Sequence, residues 1–215
     1  TFTLAGIAKG AGMIEPNMAT MLAFIVTDLD ATHATLQESL NKANAKSFNA
    51  ISIDGDMSTN DSVILLANGE AGVSIEDDSK LRQTFDQALC LICETLAHKI
   101  VSDGEKITKV VQLDIEGCRS SKDAESVARA IGNSLLVKTS FYGSDPNWGR
   151  IVDAAGYARI GLNINQLDLY YEDCPALLAG VAQEQYAQEW KSIVEKRTFT
   201  IRLNLNQGTH TYKLM

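Results

Sequence analysis

The sequence predicts a mixed α/β fold with a substantially antiparallel sheet, and three observations lead to this prediction. Residues 20–27 form a nearly unbroken apolar run with the length of a buried strand. Residues 81–100 repeat apolar side chains every three or four positions, as a long amphipathic helix does. From residue 107 onward, alternating segments and helical segments interleave without a strict βαβ rhythm and without internal repeats.

Length and composition restrict the class of protein further. A chain of 215 residues suits one large domain or two small ones. Its hydrophobic content of 45% and charged content of 21% are typical of a soluble globular protein, and no run has the length of a membrane span. The net charge of −8 and the lack of a basic stripe argue against a nucleic-acid partner. Four cysteines without a secretory segment predict reduced thiols and a cytoplasmic location.

The first half of the chain is predicted to contain strands, two helices and one ambiguous segment. In order, these are a strand through Phe2, Leu4 and Ile7, the strand at 20–27, a helix capped by Asp30 or Thr32 and ending near Lys46, a strand at 48–53, a strand or helix start at 62–67, and the long helix ending at 102–106.

The second half is predicted to alternate strands with shorter helices. The predicted strands are 107–117, 167–171, 198–205 and 209–214, the last after a turn at Gln207–Gly208. The predicted helices are 122–130, 150–157 and 183–195, whereas 135–141 fits a short strand or a helical turn equally well.

The segment between the first two strands has an unusual layout. Gly10 and Gly12 permit backbone geometry that other residues resist, and Pro16 fixes its own φ. Thr20 then begins an apolar run, directly after Ala19. Such a loop can hold one peptide bond in strain beside a hydroxyl. The strand pattern by itself explains Thr20 as an ordinary β-branched residue at a strand start.

Residues 9–13 (Lys-Gly-Ala-Gly-Met) and 16–22 (Pro-Asn-Met-Ala-Thr-Met-Leu) closely resemble the cleavage and nucleophile segment of the ornithine acetyltransferases. These are the bifunctional glutamate N-acetyltransferases of arginine biosynthesis. The resemblance implies a layered α/β/β/α N-terminal-nucleophile-like catalytic part, residues 1–107, and a smaller C-terminal α/β domain, residues 108–215. It also implies that residues 1–19 are the tail of a first subunit and that 20–107 begin the second.

The same resemblance implies a mechanism. The precursor cuts itself at the Ala19–Thr20 bond, and the new N-terminal Thr20 becomes the nucleophile. Its α-amino group, with an ordinary pKa of about 8, serves as the base for its own hydroxyl. An acetyl group then passes from N2-acetylornithine to glutamate through an acetyl-threonine intermediate, with acetyl-CoA as a second donor in bifunctional members. No metal and no organic cofactor are implied.

Two charged residues match substrate-binding positions of the family. Lys9 would hold a carboxylate as a point charge, and Glu105 would contact an ammonium group of the substrate. The residues alone favour a solvated lysine and an ordinary loop carboxylate. One departure from the family pattern follows Glu105: Lys106 and Ile107 stand where the family has small residues.

The resemblance also implies a partner. In the family, the oxyanion hole is a Thr-Gly pair in the first (α) subunit, which is not in this sequence. Oxyanion stabilisation is usually the largest catalytic term, so this chain alone should be nearly inert and should act in a hetero-oligomer of α and β chains. The family further closes its site with a C-terminal tail bearing an Asn and a terminal Ser or Thr, and this chain stops at Met215 before such a segment.

Two other functional interpretations share these residues. A related N-terminal-nucleophile aminopeptidase or amidase would use Thr20 but pass the acyl group to water. A non-catalytic interpretation makes the chain an unprocessed fragment. Thr1 is a rival nucleophile because the sequence begins with it, but residues 1–4 resemble the strand that precedes the glycine motif of the family.

Cysteine and histidine patterns offer little chemistry. Cys90 and Cys93 form a C-x-x-C within the long helix, where no second cysteine pair completes a zinc site, so buried inert thiols are predicted. His33, His98 and His210 lie far apart without ligand spacing.

Two polar loops also match the family and are interpreted as scaffold. Residues 54–61 (Asp-Gly-Asp-Met-Ser-Thr-Asn-Asp) lack the spacing of an EF-hand, so Asx-turns are favoured over a calcium site. Residues 145–150 are predicted to be a capped helix start with Trp148 as a packing anchor.

Overall fold

The structure, a computed structural model, describes residues 1–15 and 21–215. They divide into two compact units, residues 1–106 and 107–215. Each unit combines helices with a β-sheet, which confirms the predicted mixed α/β class.

The first unit contains a three-stranded sheet, which consists of β1 (Leu4–Lys9), β2 (Leu22–Thr27) and β3 (Ser62–Ala67) in that spatial order. The central strand β2 is antiparallel to β1 and parallel to β3. The register places Lys9 opposite Leu22, and Leu22 opposite Ser62. The last residue of β1 and the first residues of β2 and β3 therefore meet at one end of the sheet.

Two helices belong to the described part of the first unit. α1 (His33–Lys46) begins at Thr32, whose side chain accepts from the Thr35 N–H, and α2 (Ser79–Ser102) begins at Asp78, whose carboxylate caps two N–H groups. Both predicted helices are thus confirmed. A Cβ at Gly6 would lie 3.0 Å from Leu96 Cδ1, so the bare glycine lets α2 lie close against β1.

The two faces of this sheet differ sharply. On one face, Ala23 and Ile25 are fully buried. The opposite face exposes five large apolar side chains at alternate strand positions. They are Ile7, Phe24, Val26, Ile64 and Leu66, and we call this set the uncovered face. The apolar run predicted to be a buried strand therefore buries only one of its faces within the described residues.

Residues 48–53 were predicted to be a strand, and that prediction is wrong. Phe48–Ala50 form a 3₁₀ turn directly after α1. The Ala50 N–H bonds to the Ser47 carbonyl, and Ile51 and Ser52 are both buried although they are consecutive. A strand with one buried face would alternate instead. The ambiguous residues 62–67 form the strand β3.

The second unit contains a six-stranded sheet in the order β7-β6-β5-β8-β4-β9. Its strands are β4 (Val110–Cys118), β5 (Asp168–Tyr171), β6 (Cys174–Leu178), β7 (Val181–Ala182), β8 (Thr198–Asn204) and β9 (His210–Leu214). Only the pairing of β4 with β8 is parallel in this fully described unit. Four helices belong to it: α3 (Ser121–Gly132), α4 (Leu135–Tyr142), α5 (Trp148–Gly156) and α6 (Ala187–Glu195).

Most predicted elements of the second unit are confirmed, and the ambiguous residues 135–141 are helical. The sequence did not predict β6 and β7. Pro175 in β6 lowers the strand signal, and the structure tolerates it at a register shift in the pairing of β5 with β6. The Pro175 carbonyl accepts from the indole N–H of the buried Trp190 at 3.0 Å.

Candidate active site

The end of the first-unit sheet brings together three segments that are distant in sequence. Lys9 ends β1 and is exposed, Leu22 begins β2 opposite it, and Ser62 begins β3. Leu22 is the second residue after Thr20. Ala19 and Thr20, the predicted cleavage site and nucleophile, lie outside the described residues.

An open cavity of about 820 Å³ lies beside this end of the sheet. The loop that follows β1 forms one wall and the last turns of α2 form the other. Its charged lining residues are Lys9, Lys99 and Asp103. By residue type the lining carries a formal charge of +1, with Lys9 at the rim because its strand position belongs to the face opposite Gly6 and α2. The cavity can therefore receive a small ligand that carries carboxylates.

Glu105 is exposed and lies in the turn that follows α2. It is not among the residues that line the cavity, although Asp103, two residues earlier, is. The next residue, Lys106, has a positive φ of 53°. The structure thus brings Lys9 and the turn before Glu105 to one cavity, whereas Glu105 itself stands outside the lining.

The Asp54 carboxylate holds the loop that leads away from β1. Its Oδ2 accepts from the Met13 N–H at 2.7 Å, and its Oδ1 accepts from Ile14 and Asp56 N–H groups at 3.1 Å each. The Ile53 N–H donates to the Ile14 carbonyl at 2.8 Å. Loop 54–61 therefore has the scaffold role and the Asx-turn that its sequence predicts. Residues 1–15 and 21–215 contain no group of three or more His, Cys, Asp or Glu side chains that could hold a metal ion.

The Asp61 carboxylate holds the chain on the other side of the predicted cleavage segment, residues 15–20. Its Oδ1 accepts from the Met21 N–H at 2.6 Å, while the Met21 carbonyl accepts from the Ser62 N–H at 3.1 Å. Burial raises the pKa of Asp61, and the Met21 N–H and the charge of Lys9 partly oppose that shift. Lys9 is thus close enough to Asp61 to act on its titration.

The remaining candidates have structural roles. Of the two thiols predicted to be buried, Cys93 is fully buried in α2 and Cys90 is only half-buried; burial raises the pKa of Cys93 to about 12, which agrees with an inert thiol. The three histidines are exposed. Trp148 packs against the core of the second unit, and the Asn147 side chain caps α5, as the sequence predicts.

Sequence reasoning missed Lys99 and the contacts of Asp54 and Asp61. Lys99 lies three residues after Leu96 and one before Ile100, so helical spacing could have placed it beside this part of the sheet. The two aspartates bond to residues 40 and 41 positions away, and only knowledge of the strand pairing could have found those contacts.

The first unit thus pairs helices with one face of a sheet and has a cavity at the strand ends, and the second unit is a mixed α/β body. This is the layered α/β architecture of the N-terminal-nucleophile class. A crystal structure of the arginine biosynthesis bifunctional protein argJ from Bacillus halodurans superposes with a TM-score of 0.82 and 34% identity over 87% of this chain and 89% of the other.

Sequence comparisons identify the family within this class. The ArgJ family model matches residues 1–215, and the chain belongs to that family. Proteins named arginine biosynthesis bifunctional protein ArgJ from Dehalococcoides mccartyi and Geobacter sulfurreducens are each 44% identical to it over 96% of its length. The chain spans about half the length of these relatives, 51% and 53% respectively.

Proposed function

We propose that this chain is the nucleophile-bearing part of a glutamate N-acetyltransferase that moves an acetyl group from N2-acetylornithine to glutamate. The observation that carries the proposal is the register of the first sheet, which puts Lys9 opposite Leu22, two residues after Thr20, at the edge of a cationic cavity. Membership of the ArgJ family supports the choice of reaction. Acetyl-CoA is proposed as a second acetyl donor.

Self-cleavage precedes acetyl transfer in this proposal. The Thr20 hydroxyl attacks the Ala19 carbonyl, the C–N bond breaks, and the hydroxyl proton passes to the nitrogen that leaves. Water then hydrolyses the ester, which gives an Ala19 carboxylate and restores the Thr20 hydroxyl with a free α-amine beside it. That amine accepts the hydroxyl proton during attack on the acetyl donor.

The cavity supplies the binding groups. Lys9, at its edge, holds a substrate carboxylate as a point charge, and Glu105 contacts a substrate ammonium. Lys99 adds a second cation, which suits glutamate because this acceptor has two carboxylates. Ornithine leaves after the first half-reaction, and glutamate then takes the acetyl group from the Thr20 ester.

A first subunit completes the enzyme in this proposal. Its Thr-Gly pair would supply the oxyanion hole, and its sheet would cover the uncovered face. The assembly is a hetero-oligomer in which residues 1–19 belong to the first chain, 20–107 begin the second chain and 108–215 form its C-terminal domain. Lys9 follows Ile7 by two residues and so belongs to the uncovered face, where the rest of the first chain would cover it.

We place the enzyme in the cytoplasm because its four cysteines are free thiols. Within the parts of the chain that the structure describes, no helix combines the length and the apolar character needed to cross a membrane.

The test uses the protein expressed from its natural coding sequence. Mass spectrometry should find the chain cut between Ala19 and Thr20, and N2-acetylornithine alone should add one acetyl group to the Thr20 peptide. Glutamate should discharge this acetyl-enzyme much faster than water does. Thr20→Ala should be uncut and inactive, whereas Thr1→Ala, a matched loss of a hydroxyl, should keep full activity.

Three results would contradict the proposal. Discharge by water at the same rate with and without glutamate would indicate an amidase. An intact Ala19–Thr20 bond in the purified protein would indicate an unprocessed, non-catalytic chain. Normal turnover by Thr20→Ala would remove this hydroxyl from the mechanism.

A further inference from the structure

We propose that Asp54 and Asp61 are positioning residues that hold the chain on both sides of the cleavage segment, so that self-cleavage depends on their carboxylate oxygens. The inference rests on the proposed self-cleavage at Ala19–Thr20. Neither residue belongs to the binding groups named above.

Asp54 uses both of its oxygens on the N-terminal side. One accepts from Met13 N–H and the other from Ile14 N–H, so two successive amides bind one carboxylate. The Ile14 side chain is 1% exposed, and its carbonyl accepts from Ile53 N–H. Met13 has a positive φ of 52°, a conformation that a non-glycine residue keeps only when its surroundings hold it. The backbone at 13–14 is therefore fixed in place by Asp54.

Asp61 uses one oxygen on the C-terminal side. It accepts from the N–H of Met21, and that nitrogen is the one that the peptide bond joins to Thr20. Met21 is itself 5% exposed, and its carbonyl pairs with Ser62. Asp61 therefore holds the backbone of the first described residue after Thr20 in place.

Asp54 and Asp61 are the first and last residues of one eight-residue loop, 54–61, and hydrogen bonds within the loop stabilise it. The Asp56 N–H donates to Asp54 Oδ1, and the Asn60 N–H donates to the Ser58 hydroxyl at 3.3 Å. The loop thus sets the positions of both ends of the cleavage segment relative to each other. An intramolecular attack is sensitive to such placement, since an error of about 1 Å can lower a rate on the order of 100-fold.

The chemistry of an aspartate-to-asparagine change separates this role from a merely structural one. Among the described residues, the contact of Asp61 with the chain after Thr20 uses Oδ1 alone, and an asparagine keeps an oxygen there that can accept from Met21. At position 54 both oxygens accept, and an asparagine replaces one of them with an NH₂ group that cannot accept. The same substitution should therefore be tolerated at 61 and harmful at 54.

The experiment measures the rate of cleavage at Ala19–Thr20 in freshly made protein, by mass spectrometry over time. Asp61→Ala should slow cleavage by about 10- to 100-fold, and Asp61→Asn should restore it to within a few-fold of wild type. Asp54→Asn should be slowed like an alanine variant. Asp56→Ala is the matched control, because it removes an exposed carboxylate from the same loop and should cleave at the wild-type rate.

A second measurement tests whether the two carboxylates protect the backbone amides that they bind. Hydrogen exchange of the Met21 amide should accelerate in Asp61→Ala, and exchange of the Met13 and Ile14 amides should accelerate in Asp54→Ala. Cleavage of folded Asp61→Ala at the wild-type rate would overturn the inference while leaving the proposed function intact. Equal cleavage rates for Asp54→Asn and Asp61→Asn would overturn it too, even if the alanine variants fail to fold. A wild-type protein that is never cut would refute the proposed function and, with it, this role of the two aspartates.

Discussion

Lys106 has a strained backbone conformation. From the sequence, this residue was notable only as a departure from the family pattern. Its φ of 53° lies in the left-handed region, where a residue with a Cβ is less stable by about 1–2 kcal/mol. Glycine occupies that region without this cost but has more freedom to lose on folding. We therefore expect Lys106→Gly to raise the free energy of unfolding by about 1 kcal/mol or slightly less.

Urea unfolding would measure this change, with Lys106→Ala as the control. Alanine has the same Cβ and should bring no gain. If Lys106→Ala stabilised as much as Lys106→Gly, removal of the charge rather than relief of backbone strain would be the cause. The turn also contains Glu105, so relief at residue 106 is expected to leave the substrate ammonium contact proposed for Glu105 in place.

Asp61 should make stability depend on pH in the direction opposite to most carboxylates. Burial raises its pKa above the ordinary value of 3.8, so the folded state binds its proton more tightly than the unfolded state does. Stability from this group is complete below 3.8 and is lost as the pH rises through the folded-state pKa. We therefore expect Asp61→Asn to stabilise the protein near neutral pH and to have no such effect near about pH 3.

Unfolding curves of wild type and Asp61→Asn at the two pH values would check this sign. Asp56→Asn, which removes an exposed carboxylate of the same loop, should show little difference at either pH. A stability gain for Asp61→Asn that is equal at both values would mean that its origin is not the ionised carboxylate.

At the scale of elements, sequence patterns predicted long, periodic segments well and short ones poorly. α2 extends over 24 residues with a buried stripe and a clear Asp78 cap, so the spacing of its apolar residues is enough to predict the helix from the local sequence. Residues 48–53 are too few for their alternation to distinguish a strand from a turn, and they begin with a 3₁₀ turn that the Ala50 N–H closes on the Ser47 carbonyl, where α1 ends. β6 was missed because Pro175 is tolerated only through pairing at a register shift, which local sequence does not reveal.

Gly208 lets the chain after β8 pass close to the end of β4 because it has no Cβ. A Cβ at this position would overlap the Cys118 carbonyl group and lie 3.0 Å from Arg119 Cα. These atoms are backbone and cannot rotate away. Gly208→Ala should therefore destabilise the protein by about 1–3 kcal/mol, the usual cost of overpacking.

Thermal or urea unfolding would measure that loss. Gly156→Ala, at the end of α5, is the matched control, because no described atom lies within 4 Å of the place that the added methyl group would take, and alanine favours the helix. The control should be neutral or stabilising. A Gly208→Ala protein as stable as wild type would show that β4 or the turn moves aside at little cost.

At the scale of the whole molecule, the sequence predicted more burial for β2 than this chain provides. Its apolar run indicates a strand that is covered on both sides, yet Phe24 is 42% exposed and Val26 is 47% exposed. The candidate site is divided in the same way, because Lys9 is present whereas the oxyanion hole expected from the family is not in this sequence. The proposed first subunit would explain both gaps at once, because its sheet would cover the uncovered face and bring the missing catalytic groups with it.

Phe24→Glu tests that explanation, because Phe24 lies at the centre of the uncovered face, on the central strand. A buried, unpaired carboxylate at an apolar interface should weaken association with the proposed first subunit by at least about tenfold, equivalent to about 1.4 kcal/mol. The isolated chain should remain folded, since residue 24 is not part of its core. Co-purification with the first subunit and sedimentation velocity would measure the loss.

Leu91→Glu is the matched control for this experiment, because Leu91 is a 65% exposed apolar residue of the same unit that lies on α2 rather than on the sheet. It should leave association unchanged, since a surface charge at a site in contact with water costs little. If both variants assembled normally, the uncovered face would not be the interface. If both failed to assemble, loss of fold or solubility would be the cause, and circular dichroism would detect it. Only loss in Phe24→Glu alone assigns the missing layer of the fold to the partner that also completes its chemistry.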